Sequence, residues 1–237
     1  MNVYALPSSV EVGMPRSSAC DGDELCDEFR PGGGGSFAAV YRGDPPSRTI
    51  ASLSGLRLVA DLSPLVVGHL LLLPEHHHLS FGHLDAGLIG QVREVVGWLR
   101  QRYVATFGQM AIMEHGSSTA TPSGCITHAH WHILPVNGSQ LAEMITLDGL
   151  SAIRLPNLTA LRRFAEADQP YFYCADGDNH VAFEAHPSHP APVPAFGCRH
   201  TARHRGTRMG LVAGGPQAPA AGNDDRHCRL AGATHHP

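Results

Sequence analysis

A run of alternating histidines and apolar residues is the feature that most constrains how this chain folds. It reads His128-Ala129-His130-Trp131-His132-Ile133-Leu134-Pro135. On a β-strand, residues two positions apart share a face. The run therefore predicts a strand over 128–134 that carries three imidazoles on one face, while Ala129, Trp131 and Ile133 point into a core.

Other segments show the periods of strands and of a long helix. Leu56–Ala60 and Gly68–Pro74 are apolar runs bounded by turn residues, which predicts two strands. Between Asp85 and Phe107 the apolar residues recur every three or four positions, which predicts a helix capped by Asp85 and ended by Gly108. Further predicted elements are a strand at 110–113, a helix at 157–167 and a hairpin of strands 171–174 and 180–183.

Charge and hydropathy argue against two classes of partner. The chain has 17 basic and 21 acidic residues among 237, a formal net charge of −4, whereas sequence-independent nucleic-acid binding requires a positive surplus. No apolar run approaches the roughly 20 residues that cross a bilayer, so we expect no membrane partner. The chain starts without the features of a secretory signal, and its six cysteines are dispersed, so we expect a cytoplasmic location.

Residues 185–237 differ in composition from the rest of the chain. They are rich in Ala, His, Pro, Gly and Arg and show neither helical nor strand periodicity. Such a segment buries too little apolar surface to offset an ordering entropy of roughly 1–2 kcal/mol per residue, so a disordered tail is expected. A metal-binding tail, given the His and Cys content, and an out-of-frame reading of GC-rich DNA both stay open.

The row of three imidazoles is compatible with two kinds of chemistry. Neutral imidazoles that alternate on a strand chelate zinc, and Cys26, His77 or His115 are available to complete a ligand set. An imidazole is also a nucleophile toward phosphorus, and flanking imidazoles neutralise charge that develops on a phosphate and protonate a leaving group. The pattern taken alone leaves both open.

The same run resembles the signature of the histidine triad (HIT) family of nucleotide hydrolases and transferases. Two further blocks follow the family's order and together extend the resemblance over roughly half of the chain. Asp61-Leu-Ser-Pro64 with Gly68-His69-Leu-Leu-Leu-Leu-Pro74-Glu-His-His77 is similar to the family's D-x-S-P and G-H-x-L…P-K-x-H elements. Met113-Glu114-His115-Gly116 stands where many members carry Asn-x-Gly.

The resemblance implies a role for each matching residue. His130 would attack the α-phosphorus of a nucleotide and form a covalent nucleotidyl-histidine, oriented by the backbone carbonyl of His128, while His132 would donate to phosphate oxygens. Asp61 would accept from ribose hydroxyls, although its local sequence fits equally well a strand-end Asp that caps the next turn. Cys125 stands where the family usually has a Ser or Thr hydroxyl, and a thiol is a weaker donor.

The resemblance also raises the question of a metal. Some bacterial members hold a structural zinc with a C-x-x-C pair, the histidine of the P-K-x-H element and the first triad histidine. Cys26, His77 and His128 match three of these positions, but Asp23 stands at the fourth. We therefore expect no required cofactor and at most a weakened zinc site. Glu114 replaces the usual Asn, and we expect its side chain to turn toward a histidine or the backbone.

The predicted fold class is α+β. Residues 25–140 would form a HIT-like antiparallel sheet with the helix from Asp85 on one face and the histidine row on the other. Residues 1–24 would be a flexible lead-in, and 141–184 a helix and hairpin extension ahead of the tail 185–237.

The implied function is hydrolysis at the α-phosphate of a nucleotide substrate. His132 favours hydrolysis, because the hexose-1-phosphate uridylyltransferase branch of the family typically has Gln at that position. Nucleotidyl transfer to an acceptor other than water and a non-catalytic nucleotide- or zinc-binding module stay open. A homodimer is implied by the resemblance alone.

Overall fold

The computed structural model describes residues 23–30, 32–119 and 126–185. The strands within these ranges are β1 (Thr49–Leu53), β2 (Leu56–Ala60), β3 (Leu70–Pro74), β4 (Ala111–Gly116), β5 (Trp131–Leu134), β6 (Ala152–Leu155), β7 (Tyr171–Asp176) and β8 (Asn179–Glu184). They form one eight-stranded sheet in the described part of the chain, in the order β1-β2-β3-β5-β4-β7-β8-β6. Every pairing between neighbours is antiparallel.

The α-helices of the same ranges are α1 (Glu24–Phe29), α2 (Ser36–Tyr41), α3 (Ala86–Phe107), α4 (Gly138–Leu147) and α5 (Arg162–Glu166). Short 3-10 turns lie at Phe81–His83 and Leu158–Leu161. Among the described residues, no helix has the length and apolar character that crossing a membrane requires. The combination of an antiparallel sheet with packed helices confirms the predicted α+β class, while the expected tail lies outside the described residues.

Helix α3 has the bounds that its sequence predicts. The Asp85 carboxylate accepts a hydrogen bond from the Leu88 backbone N–H at 2.8 Å, which caps the first turn. Gly108 ends the helix with φ of 82°, and its N–H donates to the Val104 carbonyl. The inward stripe is buried and consists of Ile89, Val92, Val95, Leu99 and Tyr103.

The two faces of the sheet bury different apolar clusters. The stripe of α3 packs against alternate residues of the central strands, among them Leu72 and Trp131. On the opposite face Leu71 packs with Leu25 of α1. Because His132 lies directly opposite Leu71 in the antiparallel pairing, it occupies the face away from α3, as the sequence predicts.

The segment after residue 140 continues the same sheet. Strand β7 pairs with β4 from Ile112 to Gly116, β8 pairs with β7, and β6 pairs with β8. Helix α4 covers this half through Leu141 and Ile145, which pack with Met113 and Phe172. The hairpin predicted at 171–174 and 180–183 is present as β7 and β8, with Gly177 at φ 61° in its turn.

Two predicted elements differ from the structure. The strand expected over 128–134 begins at Trp131, because the backbone N–H of His128 donates to the Asp23 carboxylate and that of Ala129 donates to the His78 carbonyl. The helix expected over 157–167 is a 3-10 turn followed by the short α5, and the Asn157 side chain does not cap it. The predictions lacked α1, α2, α4, β1 and β6.

Candidate active site

The histidine row lies where the chain enters β5. His128 and His130 belong to the segment that precedes the strand, and His132 lies within the strand. The intervening side chains are buried in the α3 core, which confirms the predicted alternation: Ala129, Trp131 and Ile133 are 3%, 2% and 0% exposed. The ring centroids of His130 and His132 are 5.0 Å apart.

His130 is held in one tautomer by the backbone. Its Nδ1 lies 2.8 Å from the carbonyl oxygen of His128. A carbonyl oxygen only accepts, so Nδ1 carries the proton and Nε2 keeps a free lone pair. Burial lowers the pKa of His130 below its ordinary value, so the ring is neutral at neutral pH. The arrangement leaves an unprotonated, oriented nitrogen of the kind that a nucleophile requires.

His132 is held in the opposite tautomer by His69. The Leu65 backbone N–H donates to His69 Nδ1 at 3.2 Å, so neutral His69 carries its proton on Nε2. That Nε2 lies 2.9 Å from His132 Nδ1 and donates to it, which places the His132 proton on Nε2. Burial lowers the pKa of both rings. His132 therefore presents a neutral N–H donor beside His130.

The two carboxylate oxygens of Asp61 have different contacts. Oδ1 accepts from the Ser63 backbone N–H at 2.7 Å, which is the turn cap that its local sequence suggests. Oδ2 lies 3.8 Å from His69 Nε2, and the side chain is 14% exposed. Asp61, His69 and His132 thus form a polar row at the start of β3.

His115 adds another imidazole near the triad. It lies on β4, which pairs with β5, and its ring packs on Phe172 with centroids 4.6 Å apart. Burial, with a smaller contribution from the neighbouring His130, lowers the pKa of His115 to about 4. The sequence suggested only a zinc-ligand role for His115.

Glu114 lies on the other face of the sheet, among the residues that α3 covers. Its carboxylate accepts from the Phe81 backbone N–H at 2.7 Å, from Tyr171 Oη–H at 2.7 Å and from Trp131 Nε1–H at 3.2 Å. The expected turn toward the backbone is confirmed, although no histidine is among these partners. Because Glu114 and His132 occupy opposite faces, Glu114 does not face a phosphate bound at the triad.

A second polar cluster lies between α1 and the start of β5. It consists of Asp23, Cys26, His77 and His128, with one ligand atom of each within 4.8 Å of the others. Cys26 Sγ lies 3.3 Å from His77 Nδ1 and 3.2 Å from His128 Nδ1. His128 Nε2–H donates to the Pro74 carbonyl at 2.8 Å, so its Nδ1 keeps a lone pair, and burial lowers the pKa of His128 to about 4.

Three of these four residues fit a zinc ion and the fourth does not. A thiolate and two neutral imidazole nitrogens at such separations are suitable zinc ligands. Asp23, however, accepts five hydrogen bonds from described residues, and a carboxylate has about four lone-pair positions. No lone pair is left for a cation, so the residues present do not complete a four-coordinate site.

The structure places some of the sequence-predicted site residues and not others. His128, His130 and His132 follow one another along the segment that enters β5. Asp61 lies with His132 near the start of β3, whereas His128 lies beside Pro74 at the other end of that strand. Cys125 belongs to the residues outside the described ranges, so its position stays a prediction. Two residues were missed: His69, which the G-H-x-L motif contained without a role, and Asp23, which was considered only as an absent zinc ligand.

Solved structures similar to this chain carry the names of the family that its motifs resemble. One is a member of the HIT family from Bacillus subtilis, with 22% identity, a TM-score of 0.34, and coverage of 42% of this chain and 71% of that one. A hypothetical histidine triad nucleotide-binding protein from Sulfolobus tokodaii has 17% identity, a TM-score of 0.33, and coverage of 42% and 67%. A HIT family hydrolase from Clostridium thermocellum has 14% identity, a TM-score of 0.30, and coverage of 41% and 86%.

No family model matches the sequence, and no curated protein matches it.

Proposed function

We propose that this protein is a HIT-type nucleotide hydrolase that cleaves at the α-phosphate through a covalent nucleotidyl-histidine on His130. The observation that carries the proposal is the pair of opposite tautomers at the site. His130 offers an unprotonated Nε2 because its Nδ1–H is bound to the His128 carbonyl. His132 offers a protonated Nε2 because His69 donates to its Nδ1. A nucleophile and a donor are therefore set side by side.

In the first step His130 Nε2 attacks the α-phosphorus. The bond between nitrogen and phosphorus forms while the bond from phosphorus to the leaving-group oxygen breaks. The Nε2–H of His132 donates to a non-bridging phosphate oxygen as negative charge builds there. Cys125 is the proposed donor to the leaving group, on the strength of its sequence position alone.

In the second step water attacks the same phosphorus from the side that the leaving group vacated. The nitrogen–phosphorus bond breaks, a nucleoside monophosphate leaves, and His130 regains its lone pair. A proton of the attacking water replaces the one that Cys125 gave to the leaving group. Asp61 is the proposed acceptor for the ribose hydroxyls through Oδ2, since Oδ1 is engaged by Ser63. No step in this scheme needs a metal ion or another cofactor.

A substrate panel tests the proposal. Dinucleoside polyphosphates, nucleoside phosphoramidates and nucleotide sugars are incubated with the native protein and with His130→Ala, and the nucleoside monophosphate released is measured. We expect turnover of at least one class and a loss of about a thousandfold or more in the variant, because the attacking atom is gone. His76→Ala is the matched control, since His76 is exposed and we expect it to turn over at the native rate.

The panel also separates the two alternatives. Nucleotide that is transferred to an added alcohol or phosphate in preference to water would identify a transferase. Nucleotide binding without turnover of any class would contradict the enzyme and favour the binding module.

A further inference from the structure

Helix α1 is fixed to the sheet independently of the polar cluster. Leu25 is 1% exposed and packs among the apolar residues of β2 and β3. Glu28 accepts two hydrogen bonds of 2.7 Å from the Arg48 guanidinium, and both side chains are buried. Because of these contacts, α1 holds its N-cap residue, Asp23, in a fixed position relative to the sheet.

Asp23 precedes α1 and binds to two distant parts of the chain. Its Oδ1 accepts from the backbone N–H groups of Leu25 and Cys26 at 3.0 and 3.1 Å, which caps the helix. Its Oδ2 accepts from the Thr127 N–H at 3.0 Å, from the Thr127 hydroxyl at 2.9 Å and from the His128 N–H at 2.9 Å. One carboxylate thus joins α1 to the segment that enters β5.

The joined segment is the one that orients the proposed nucleophile. Both backbone groups of His128 take part. Its N–H donates to Asp23, and its carbonyl accepts from His130 Nδ1–H. A shift of this backbone would move the carbonyl and release His130 to its other tautomer. The geometry links Asp23 to His130 through a single residue.

We propose that Asp23 is a positioning residue for His130, and that its carboxylate fastens α1 to residues 127–128 by hydrogen bonds in place of a metal ion. The part that concerns His130 rests on the proposed function, whereas the part that concerns the metal does not.

The character of the carboxylate supports this assignment. It accepts only, and five donors converge on it. Burial would raise the pKa of Asp23, but the hydrogen bonds from His128, Cys26 and Thr127 outweigh burial and hold it below the ordinary value. The Asp23 carboxylate is therefore ionised, and hydrogen bonds occupy all of its acceptor positions. It can hold α1 against residues 127–128, and it has no lone pair left to bind zinc.

Metal content tests the first half of the proposal. Native protein, Asp23→Cys and Asp23→Ala are produced with added zinc, dialysed, and measured by plasma mass spectrometry. We expect far less than one zinc per native chain and about one per Asp23→Cys chain, because a thiolate there completes a four-ligand set with Cys26, His77 and His128. One firmly held zinc in the native chain that Asp23→Ala loses would make Asp23 a ligand and overturn the proposal.

The tautomer of His130 tests the second half. Nitrogen NMR of the histidine side chains reports which ring nitrogen carries the proton, and it needs no substrate. We expect Asp23→Ala to lose the fixed Nδ1–H form of His130 and Asp23→Asn, which keeps one acceptor oxygen, to lose it in part. Asp27→Asn is the matched control, since Asp27 lies on the same helix and pairs with Arg30. An unchanged His130 tautomer in a folded Asp23→Ala or Asp23→Asn protein would overturn the positioning role.

Kinetics separates this inference from the proposed function. If the native protein turns over nucleotide, we expect Asp23→Asn to lower kcat by about ten- to a hundredfold with little change in KM, as losses of supporting groups do. Native-like kcat in that variant would reject the Asp23 inference and leave the proposed function standing. Absence of turnover in the native protein would reject the proposed function, while metal content and tautomer would still test Asp23.

Discussion

Glu114 is a carboxyl group enclosed by three different elements. Its hydrogen-bond partners come from the turn at Phe81, from Trp131 on β5 and from Tyr171 on β7, and the side chain is 0% exposed. Burial raises its pKa from 4.5 to about 7, against the opposing effect of the three donors. Glu114 therefore connects the two halves of the sheet, and its raised pKa makes its protonation change with pH in the neutral range.

The raised pKa of Glu114 makes a testable, pH-dependent contribution to the free energy of unfolding. Between pH 4.5 and about 7 the folded chain holds the Glu114 proton that the unfolded chain has lost, so this contribution to the free energy of unfolding falls as pH rises. The slope is up to about 1.4 kcal/mol per pH unit. Urea unfolding followed by tryptophan fluorescence, compared between the native chain and Glu114→Gln at several pH values, isolates it from the histidines, whose lowered pKa values act in the opposite direction.

We expect the stability advantage of the native chain over Glu114→Gln to shrink from about pH 5 to about pH 7. The variant should be less stable throughout, because an amide offers one acceptor oxygen for the donors of Phe81 and Trp131, and an unmatched buried donor costs about 1–3 kcal/mol. A difference between the two proteins that stays constant with pH would contradict the raised pKa.

At the scale of elements, α3 shows how two glycines of one helix have opposite effects. Gly97 lies in the exposed middle of α3, and Gly108 ends it at φ 82°; a Cβ at either position would meet no atom within 4 Å. Steric contacts therefore do not distinguish them. Backbone conformation does, because a left-handed residue with a Cβ costs about 1–2 kcal/mol.

The paired substitution Gly97→Ala and Gly108→Ala tests this interpretation of α3. We expect Gly97→Ala to stabilise the chain by about 0.5–1 kcal/mol through helix propensity. We expect Gly108→Ala to destabilise it by about 1–2 kcal/mol through strain. Thermal unfolding monitored by circular dichroism measures both, and shifts of the same sign would show that the helix end is not as described.

The elements that the sequence predicted correctly are those with local signals. Helix α3 has a periodic stripe with a cap at each end, and the β7–β8 hairpin has turn chemistry between two apolar runs. Helix α1 and strand β6 have six and four residues, too few to show a period. The start of β5 was misplaced because its determinant, the bond from His128 N–H to Asp23, joins residues 105 positions apart.

In the candidate site, too, residues with local sequence signals were predicted, and residues that depend on long-range contacts were not. The triad and Asp61 were found because their spacing is local and matches a known motif. The donation from His69 to His132 spans 63 positions and depends on the pairing of β3 with β5, which no short pattern encodes. The saturation of Asp23 is likewise a property of the folded backbone, since four of its five donors are backbone N–H groups.

At the scale of the whole molecule, the segment from β6 to β8 belongs to the same sheet as the triad. Strand β7 pairs along β4, and the cluster under α4 combines Met113 and Leu134 with Phe172 and Phe183. In the described sheet, the edges that remain open are β1 and β6. The homodimer implied by the family resemblance stays a prediction, and strand pairing between two copies would have to use one of these edges.

Two truncations test this organisation. We expect a chain that ends at 185 to keep its melting temperature within a few degrees, because the described strands pair among themselves and the removed segment has few large apolar residues. We expect a chain that ends at 149 to be insoluble or unfolded, because it exposes the apolar residues of β4 and α4. Loss of folding in the first chain, or a stable second chain, would contradict the organisation described.

The central claim is that His130 Nε2 becomes bound to phosphorus during turnover. The most direct measurement is mass spectrometry of the protein quenched in base during steady-state turnover, since a phosphorus–nitrogen bond to imidazole survives base and breaks in acid. We expect the mass of one nucleoside monophosphate on the peptide that contains His130, its loss on acidification, and its absence in His130→Ala. The same adduct on another residue, or near-native turnover by His130→Ala, would contradict the claim.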